Sequence, residues 1–222
     1  MACWSAENAT KAYLKTLKMG KRCKEPDVAE FVSALAAGNS AKYMVEACSG
    51  TAGATTLALV VAAHQTGGRV VCILRGIEEL ESSQLALGPN VKFVDFVIGD
   101  ARKLLLNCYK GADFVLIDCN LDDHEGVLRA VQASAKDSGA VAVGYNAFSK
   151  GSWWKNGFKT HLLPIGEGLL VSTIPASNKN VVGRLMAAKR SSNWVVRVDK
   201  CTGEEHVFRV LRSSPPSKEI EA

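Results

Sequence analysis

Apolar and polar positions follow two rhythms along this chain, and the rhythm changes from one segment to the next. Ala6 to Met19 repeats apolar residues at helical spacing and stops at Gly20, and residues 26 to 37 do the same and stop at Gly38. Short apolar runs of strand length follow at Tyr43–Ala47, Arg69–Leu74, 91–97, 114–117 and 140–144, with helix-compatible segments between them. Such alternation predicts a mostly parallel sheet covered on both faces. Residues 158–165 and Leu169–Ile174 then flank Gly166-Glu167-Gly168, which predicts an antiparallel hairpin. The fold class is therefore α/β: a doubly wound, mostly parallel seven-stranded sheet with helices on both faces and a closing antiparallel hairpin. Residues 194–199 and 206–211 alternate around KCTGEE and predict a further C-terminal hairpin turning at Gly203. The expected organisation is a core over 1–178, a basic hairpin extension over 179–212 packed on it, and a disordered tail over 213–222.

In such sheets ligands bind beyond the carboxyl ends of the strands, where the strand order reverses. The first of these ends reads VEACSGTAGATTLAL, a strand closing on Glu46, a turn of small residues with Gly50 and Gly53, and a helix. Glycines let the backbone approach a ligand, and the helix N-terminus offers unpaired N–H groups. The same small residues also suit a helix packed tightly on a strand. The other ends contribute Leu74-Arg75-Gly76, Gly99-Asp100-Ala101, Asp118-Cys119-Asn120 and Tyr145-Asn146. Three carboxylates thus converge on one edge. Asp122 and Asp123 read first as caps for the following helix, whereas Asp118, directly after FVLI, reads as functional.

Composition narrows the classes. The chain has 222 residues, enough for one well-packed domain, and its 47% apolar and 22% charged residues are those of a globular protein. No apolar run approaches the ~18 residues of a membrane span, and the first residues lack the basic and apolar blocks of a secretory signal. Seven cysteines, at 3, 23, 48, 72, 108, 119 and 201, include no C-x-x-C pair. An odd, dispersed set suggests reduced thiols and a cytoplasmic protein, with the nucleus left open. None is assigned to catalysis, and no His/Cys set has zinc spacing. The net charge of +5 is uneven: residues 1–24 hold six basic residues against one acid, and 179–212 hold eight against three. Lys11, Lys15, Lys18 and Arg22 share a helical face, read first as a solvated face and second as a contact for an acidic partner, a nucleic acid or a coenzyme phosphate. Nothing supplies the aromatic interleaving of a nucleic-acid module. The expected partners are a second copy or an acidic protein, without membrane or specific nucleic acid.

EPDVAEFVSAL, VEACSGTAGATTLAL, VKFVDFVIGDARKLL, ADFVLIDCNLDDH and LLPIGEGLLV occur in the order of the motifs of Rossmann-like S-adenosylmethionine (SAM)-dependent methyltransferases. Over residues 25 to 174 the chain resembles the small caffeoyl-CoA and catechol type O-methyltransferases, and also a plant family of methyltransferase-like proteins. The resemblance implies that Glu46, Ala47, Gly50, Thr51 and Gly53 lie along the methionine part of SAM. It implies that Asp100 and Ala101 face the adenine, that Asp118 belongs to both cofactor site and catalytic centre, and that a small-molecule methyl acceptor is a partner if the chain is active.

Three departures accompany it. The first motif is one residue longer than in those enzymes. Where they hold an acid for the ribose hydroxyls, this chain has Leu74 and Arg75, and only Glu78 or Glu79 stands near enough in sequence to compensate. Metal-dependent relatives bind a divalent cation through an Asp after the fourth strand and an Asp-Asn pair after the fifth, and a Lys assists deprotonation. Here Asp118 and Asn146 match, Tyr145 replaces the second Asp and Leu121 the Lys. One carboxylate and one amide hold a hard cation weakly, so no metal is expected, and Asp118, Asn146 and Tyr145 form the candidate catalytic set. His124 reads either as a replacement base or as a solvent-facing residue, Tyr145 as a donor to substrate or a filler of space. Trp153 and Trp154 read as a stacking platform or as packing. Two functions remain: a SAM-dependent methyltransferase-like protein without metal-assisted O-methylation, and a catalytically degenerate form of the fold used for binding or regulation. A phosphate-bearing dinucleotide held by Arg75 is a weaker third.

Overall fold

A computed structural model describes residues 4–19, 27–135, 139–148 and 160–176, and the two strands at 192–198 and 205–211. The expectations for Gly20, Arg22, Pro26, Trp153, Trp154, Gly203 and the tail over 213–222 lie outside the described residues. The chain divides into two units, Met1–Ser177 and Asn178–Ala222.

The first unit opens with helices α1 (Ala6–Met19) and α2 (Val28–Gly38). A capping box starts α2: the Asp27 carboxylate accepts from Val28 N (2.7 Å) and Glu30 accepts from Asp27 N (2.9 Å). Small residues, Ala9, Ala12 and Thr16, form the buried side of α1, while Leu14 is 47% exposed. The Trp4 indole lies against Gly38, where a Cβ would meet it at 2.3 Å.

The sheet is built from β1 (Tyr43–Ala47), β2 (Arg69–Leu74), β3 (Val94–Ile98), β4 (Phe114–Asp118), β5 (Ala140–Tyr145), β6 (Thr160–Leu163) and β7 (Leu169–Ile174). Its order is β3-β2-β1-β4-β5-β7-β6, parallel except for the β7 pairings, so the expected seven-stranded sheet with its closing hairpin is present. Helices α3 (Ala54–Thr66) and α4 (Ile77–Leu87) connect β1 to β2 and β2 to β3; α5 (Ala101–Asn107) and α6 (His124–Ser134) connect β3 to β4 and β4 to β5. The chain reverses its direction of travel across the sheet between β1 and β4.

Period-2 alternation splits the core into two layers. Met44, Cys72, Leu74, Phe114, Leu116 and Val143 face α1, α2 and α3, whereas Val45, Ile73, Val115, Ile117 and Ala142 face α5 and α6. β1 and β4 are buried throughout, which explains their apolar runs. Asp113 joins their starts, since its carboxylate accepts from Lys42 N and Tyr43 N at 2.9 to 3.2 Å.

Most boundaries lie within two residues of the sequence reading, and the start of β3 departs further. The strand expected at 91–97 begins at Val94, because Gly88–Phe93 forms a 3-10 turn with Pro89 at its start. Proline supplies no N–H to a ladder and favours the first turn of a helix. The second unit contains an antiparallel hairpin of β8 (Ser192–Val198) and β9 (Glu205–Leu211), with Trp194 opposite Arg209. Among the described residues no helix is long and apolar enough to cross a membrane.

Phe114 is the largest fully buried side chain. Truncation by Phe114→Ala should cost about 3–5 kcal/mol in urea unfolding; a loss below 1 kcal/mol would contradict this packing.

Candidate functional site

The reversal between β1 and β4 brings the ends of β1, β4 and β5 together around one carboxylate. Asp118 is 5% exposed. Its Oδ1 accepts from Asn120 N (3.0 Å) and Asn146 Nδ2 (2.9 Å). Its Oδ2 accepts from Ser49 N (3.3 Å) and from the Ser49 hydroxyl. Asn146 reaches Asp118 from a left-handed backbone, φ 59°, which asparagine tolerates better than most residues. Asp118 thus fastens the glycine turn to the ends of two strands.

Beside it lies a cleft of about 210 Å³, whose walls include Cys48, Arg75, Asp100, Ala101, Leu121 and Asp122. That is below the roughly 300 Å³ at which whole small-ligand pockets begin, so it admits one ring system and leaves the rest of a larger ligand outside. Asp100 has a second duty: it caps α5 by accepting from Lys103 N at 3.2 Å, with its side chain half exposed. Asp123 caps α6 by accepting from Gly126 N at 3.1 Å. Of the two expected caps only Asp123 fills that role for α6; Asp122 faces the cleft.

Glu46 and Ala47 stand differently. Both are 0% exposed, and neither lines the cleft. Glu46 points under α3, where Thr55 Oγ1 donates to its Oε1 at 2.6 Å while Oε2 is buried without a hydrogen-bond partner. Burial pushes its carboxyl above the usual range against the opposing pull of the Thr55 hydroxyl. Gly50 and Gly53, by contrast, are open: a Cβ on either would meet nothing within 4 Å. Thr51 is exposed between them. The turn and the start of α3 therefore form an uncovered cradle next to the cleft.

Tyr145 closes this region at the end of β5. Burial, reinforced by Glu46, Cys48, Asp118 and Cys72, raises its hydroxyl well above the usual phenol range. It keeps its proton and can donate a hydrogen bond, but it cannot serve as a base near neutral pH. His124 is half buried, with Nδ1 at 3.0 Å from the Leu121 carbonyl and Nε2 enclosed without a partner. It is not the solvent-facing residue that its position in the helix suggested.

The donors that matched a divalent-metal site do not suit a hard cation. Asp118 spends its oxygens on four donors, Asn146 turns its amide nitrogen toward Asp118, and Tyr145 is protonated. Sequence reasoning missed a different grouping. Cys48 Sγ lies 3.4 Å from Cys72 Sγ, and Glu46 joins them with its ligand atom within 4.8 Å of theirs. Local spacing hides this set because the residues sit on neighbouring strands. Strand alternation and register could have found it.

The model of a protein family described as protein of unknown function, DUF1442, matches residues 1–210. The chain belongs to that family. No curated protein matches the sequence of this DUF1442 member. Solved structures similar to it include a methyltransferase from Geobacter sulfurreducens, 17% identical, covering 77% of this chain and 90% of that one at a TM-score of 0.55. A candidate caffeoyl-CoA O-methyltransferase from Staphylococcus aureus is 15% identical, with 77% and 93% covered and a TM-score of 0.54. An O-methyltransferase of tomaymycin synthesis from Streptomyces achromogenes, in complex with SAM, is 16% identical, with 79% and 92% covered and a TM-score of 0.52. At these identities the likeness is one of fold: the DUF1442 chain has the Rossmann-like methyltransferase fold.

Two outcomes follow from the site. Asp118→Ala should destabilise the protein by about 3 kcal/mol or more, since several hydrogen bonds to a buried charge are lost, and Asp118→Asn, which keeps one acceptor oxygen, should cost less; urea unfolding measures both. For Glu46 the folded protein holds the proton more tightly than the unfolded chain. Its contribution is thus fully present below its ordinary value of 4.5 and is lost as pH rises through the folded value. In chelator-treated protein, Glu46→Gln should therefore gain stability over wild type with rising pH, and little at pH 4. Thermal melts across pH 4 to 8 read this, and a difference flat with pH would contradict a buried carboxyl.

Proposed function

We propose that the chain binds SAM, or its demethylated product S-adenosylhomocysteine, with the purine in the cleft and the amino-acid part along the glycine turn. One observation carries this reading: an open cleft walled by Asp100 and Ala101 adjoins an uncovered cradle at Gly50 and Gly53. A carboxylate beside an exocyclic amine and a backbone N–H beside a ring nitrogen suit an adenine edge. Glu46 and Ala47 support the turn from below, and Asp118 fixes it. At the end of β2 the Glu79 carboxylate folds back to Gly76, with Oε2 2.9 Å from where a Cβ on that glycine would stand. Of the two acids that stand near the missing ribose acid in sequence, Glu79 is thus the one turned back toward the end of β2.

When bound, SAM supplies an electrophilic methyl group for in-line displacement. The chain's own contribution is proximity and orientation, with Tyr145 donating a hydrogen bond rather than abstracting a proton. That chemistry suits a small acceptor that is nucleophilic without metal activation. A second reading has its own support. Arg75 on the cleft wall, the saturated Asp118 and the protonated Tyr145 together favour a binding or regulatory protein that retains the fold without methyl transfer. The expected cytoplasmic location, the homodimer or acidic partner, and the basic extension over 179–212 as its contact surface belong to either reading.

Calorimetric titration with S-adenosylhomocysteine, with and without magnesium and with NADPH as control, tests the site. Micromolar binding indifferent to magnesium is expected, and Gly50→Val, which fills the cradle without meeting the fold, should weaken it at least tenfold, about 1.4 kcal/mol. Absence of heat at millimolar ligand would overturn cofactor binding.

A further inference from the structure

Beneath the glycine turn, on the face of the sheet covered by α3, three potential ligands converge. Glu46 and Cys72 are paired residues on β1 and β2, and Cys48 follows two positions beyond Glu46. The two sulfurs stand 3.4 Å apart, and both cysteines are buried. Adjacent buried thiols alone are ordinary core packing. A wholly buried carboxylate with an unpartnered oxygen beside them is not, because a buried polar atom left unpaired costs free energy. We propose that Glu46, Cys48 and Cys72 bind a thiophilic divalent cation of the zinc class, separate from the hard-cation site that the fold's metal-dependent members use.

A disulfide explains the contact less well. Strand register sets Cys48 two residues past the partner of Cys72, about 6.6 Å along the strand and about 4.8 Å across. The Cα atoms are then roughly 8 Å apart, beyond the ~7 Å that a disulfide spans. A shared metal ion relaxes that requirement. Two thiolates on tetrahedral zinc at ~2.3 Å are about 3.8 Å from one another, close to the observed 3.4 Å. Glu46 offers Oε2 while the Thr55 hydroxyl holds Oε1, the arrangement by which a second partner orients a ligand. Two sulfurs and a carboxylate select zinc-like ions over magnesium or calcium. Cys48 also lines the cleft, which gives the ion a route in and leaves a fourth position for water or a ligand atom. Binding displaces the two thiol protons, together with any proton held by the Glu46 carboxyl, to solvent and changes no oxidation state.

Cobalt(II) added to chelator-treated full-length protein tests the proposal. One equivalent should give thiolate-to-cobalt charge-transfer absorption with the intense visible bands of a tetrahedral site. Cys48→Ser and Cys72→Ser should abolish them, Cys108→Ser should leave them, and Glu46→Gln should weaken affinity at least about tenfold, the loss typical of even an outer-shell partner. Because a buried substitution can unfold the chain, X-ray absorption on zinc-loaded wild type supplies a mutation-free readout: two sulfurs near ~2.3 Å with oxygen or nitrogen neighbours. Absence of the bands, their survival in Cys72→Ser, or a shell of four sulfurs or of none would overturn it. The cofactor reading stands or falls separately, in titration of the metal-free protein with S-adenosylhomocysteine.

Discussion

Everything at the carboxyl edge of the sheet depends on how the Asp118 charge is accommodated. A buried carboxylate is tolerable only when its lone pairs are filled, and here Ser49, Asn120 and Asn146 fill them from three segments that the chain reaches at different times. Hydrogen bonds to an ionised group are each worth about 1.5–3 kcal/mol, comparable to the whole margin by which a domain is stable once several are combined. The glycine turn, the end of β5 and the loop into α6 therefore hold their places together. A ligand on the turn meets a backbone set in advance, so its ordering entropy is already spent in folding.

That fastening also divides the polar residues of the edge into two populations. Asp100, Arg75, Asp122 and Arg102 stand in solvent around the cleft, where Arg102 pairs with Asp123 at 3.4 Å and Asp100 with Lys103 at 4.0 Å. Such exposed pairs are screened and weak, so Asp100 and Arg102 can exchange them for a ligand at little cost. Glu46, Cys48 and Cys72 lie below, in the layer with Met44 and Leu116, with the partly buried Tyr145 packed against it, where water screens them less. Their electrostatic interactions are correspondingly stronger.

Much of the fold was legible because it is written in local signals. Buried parallel strands need continuous apolar runs, and those at Tyr43–Ala47 and Arg69–Leu74 sit where the sequence put them. The motif order from VEACSGTAGATTLAL to LLPIGEGLLV anticipated both the mostly parallel sheet and the closing pair. The site was legible only in outline. Glu46 looks like any acid at a strand end, and only the packing of α3 over it reveals its burial. Asp122 and Asp123 are equal candidates for a cap until the turn geometry selects the second. Asp118 and Asn146 read from sequence as members of a catalytic set, whereas the left-handed turn at Asn146 directs them to each other. Cys48 and Cys72 become neighbours through strand pairing, which residue spacing does not encode.

The sheet's outermost parallel strand has a consequence for the molecule's behaviour in company. β3 is five residues long, carries the exposed Asp95 at its second position, and is entered directly from the 3-10 turn that holds Pro89. A neighbouring chain adding a strand there would find a template of barely two hydrogen-bond repeats, with a carboxylate to desolvate and no N–H at the proline to extend it. The edge is thus a poor seed for growth, and a sheet whose inner strands are buried and apolar is guarded against self-association along this side.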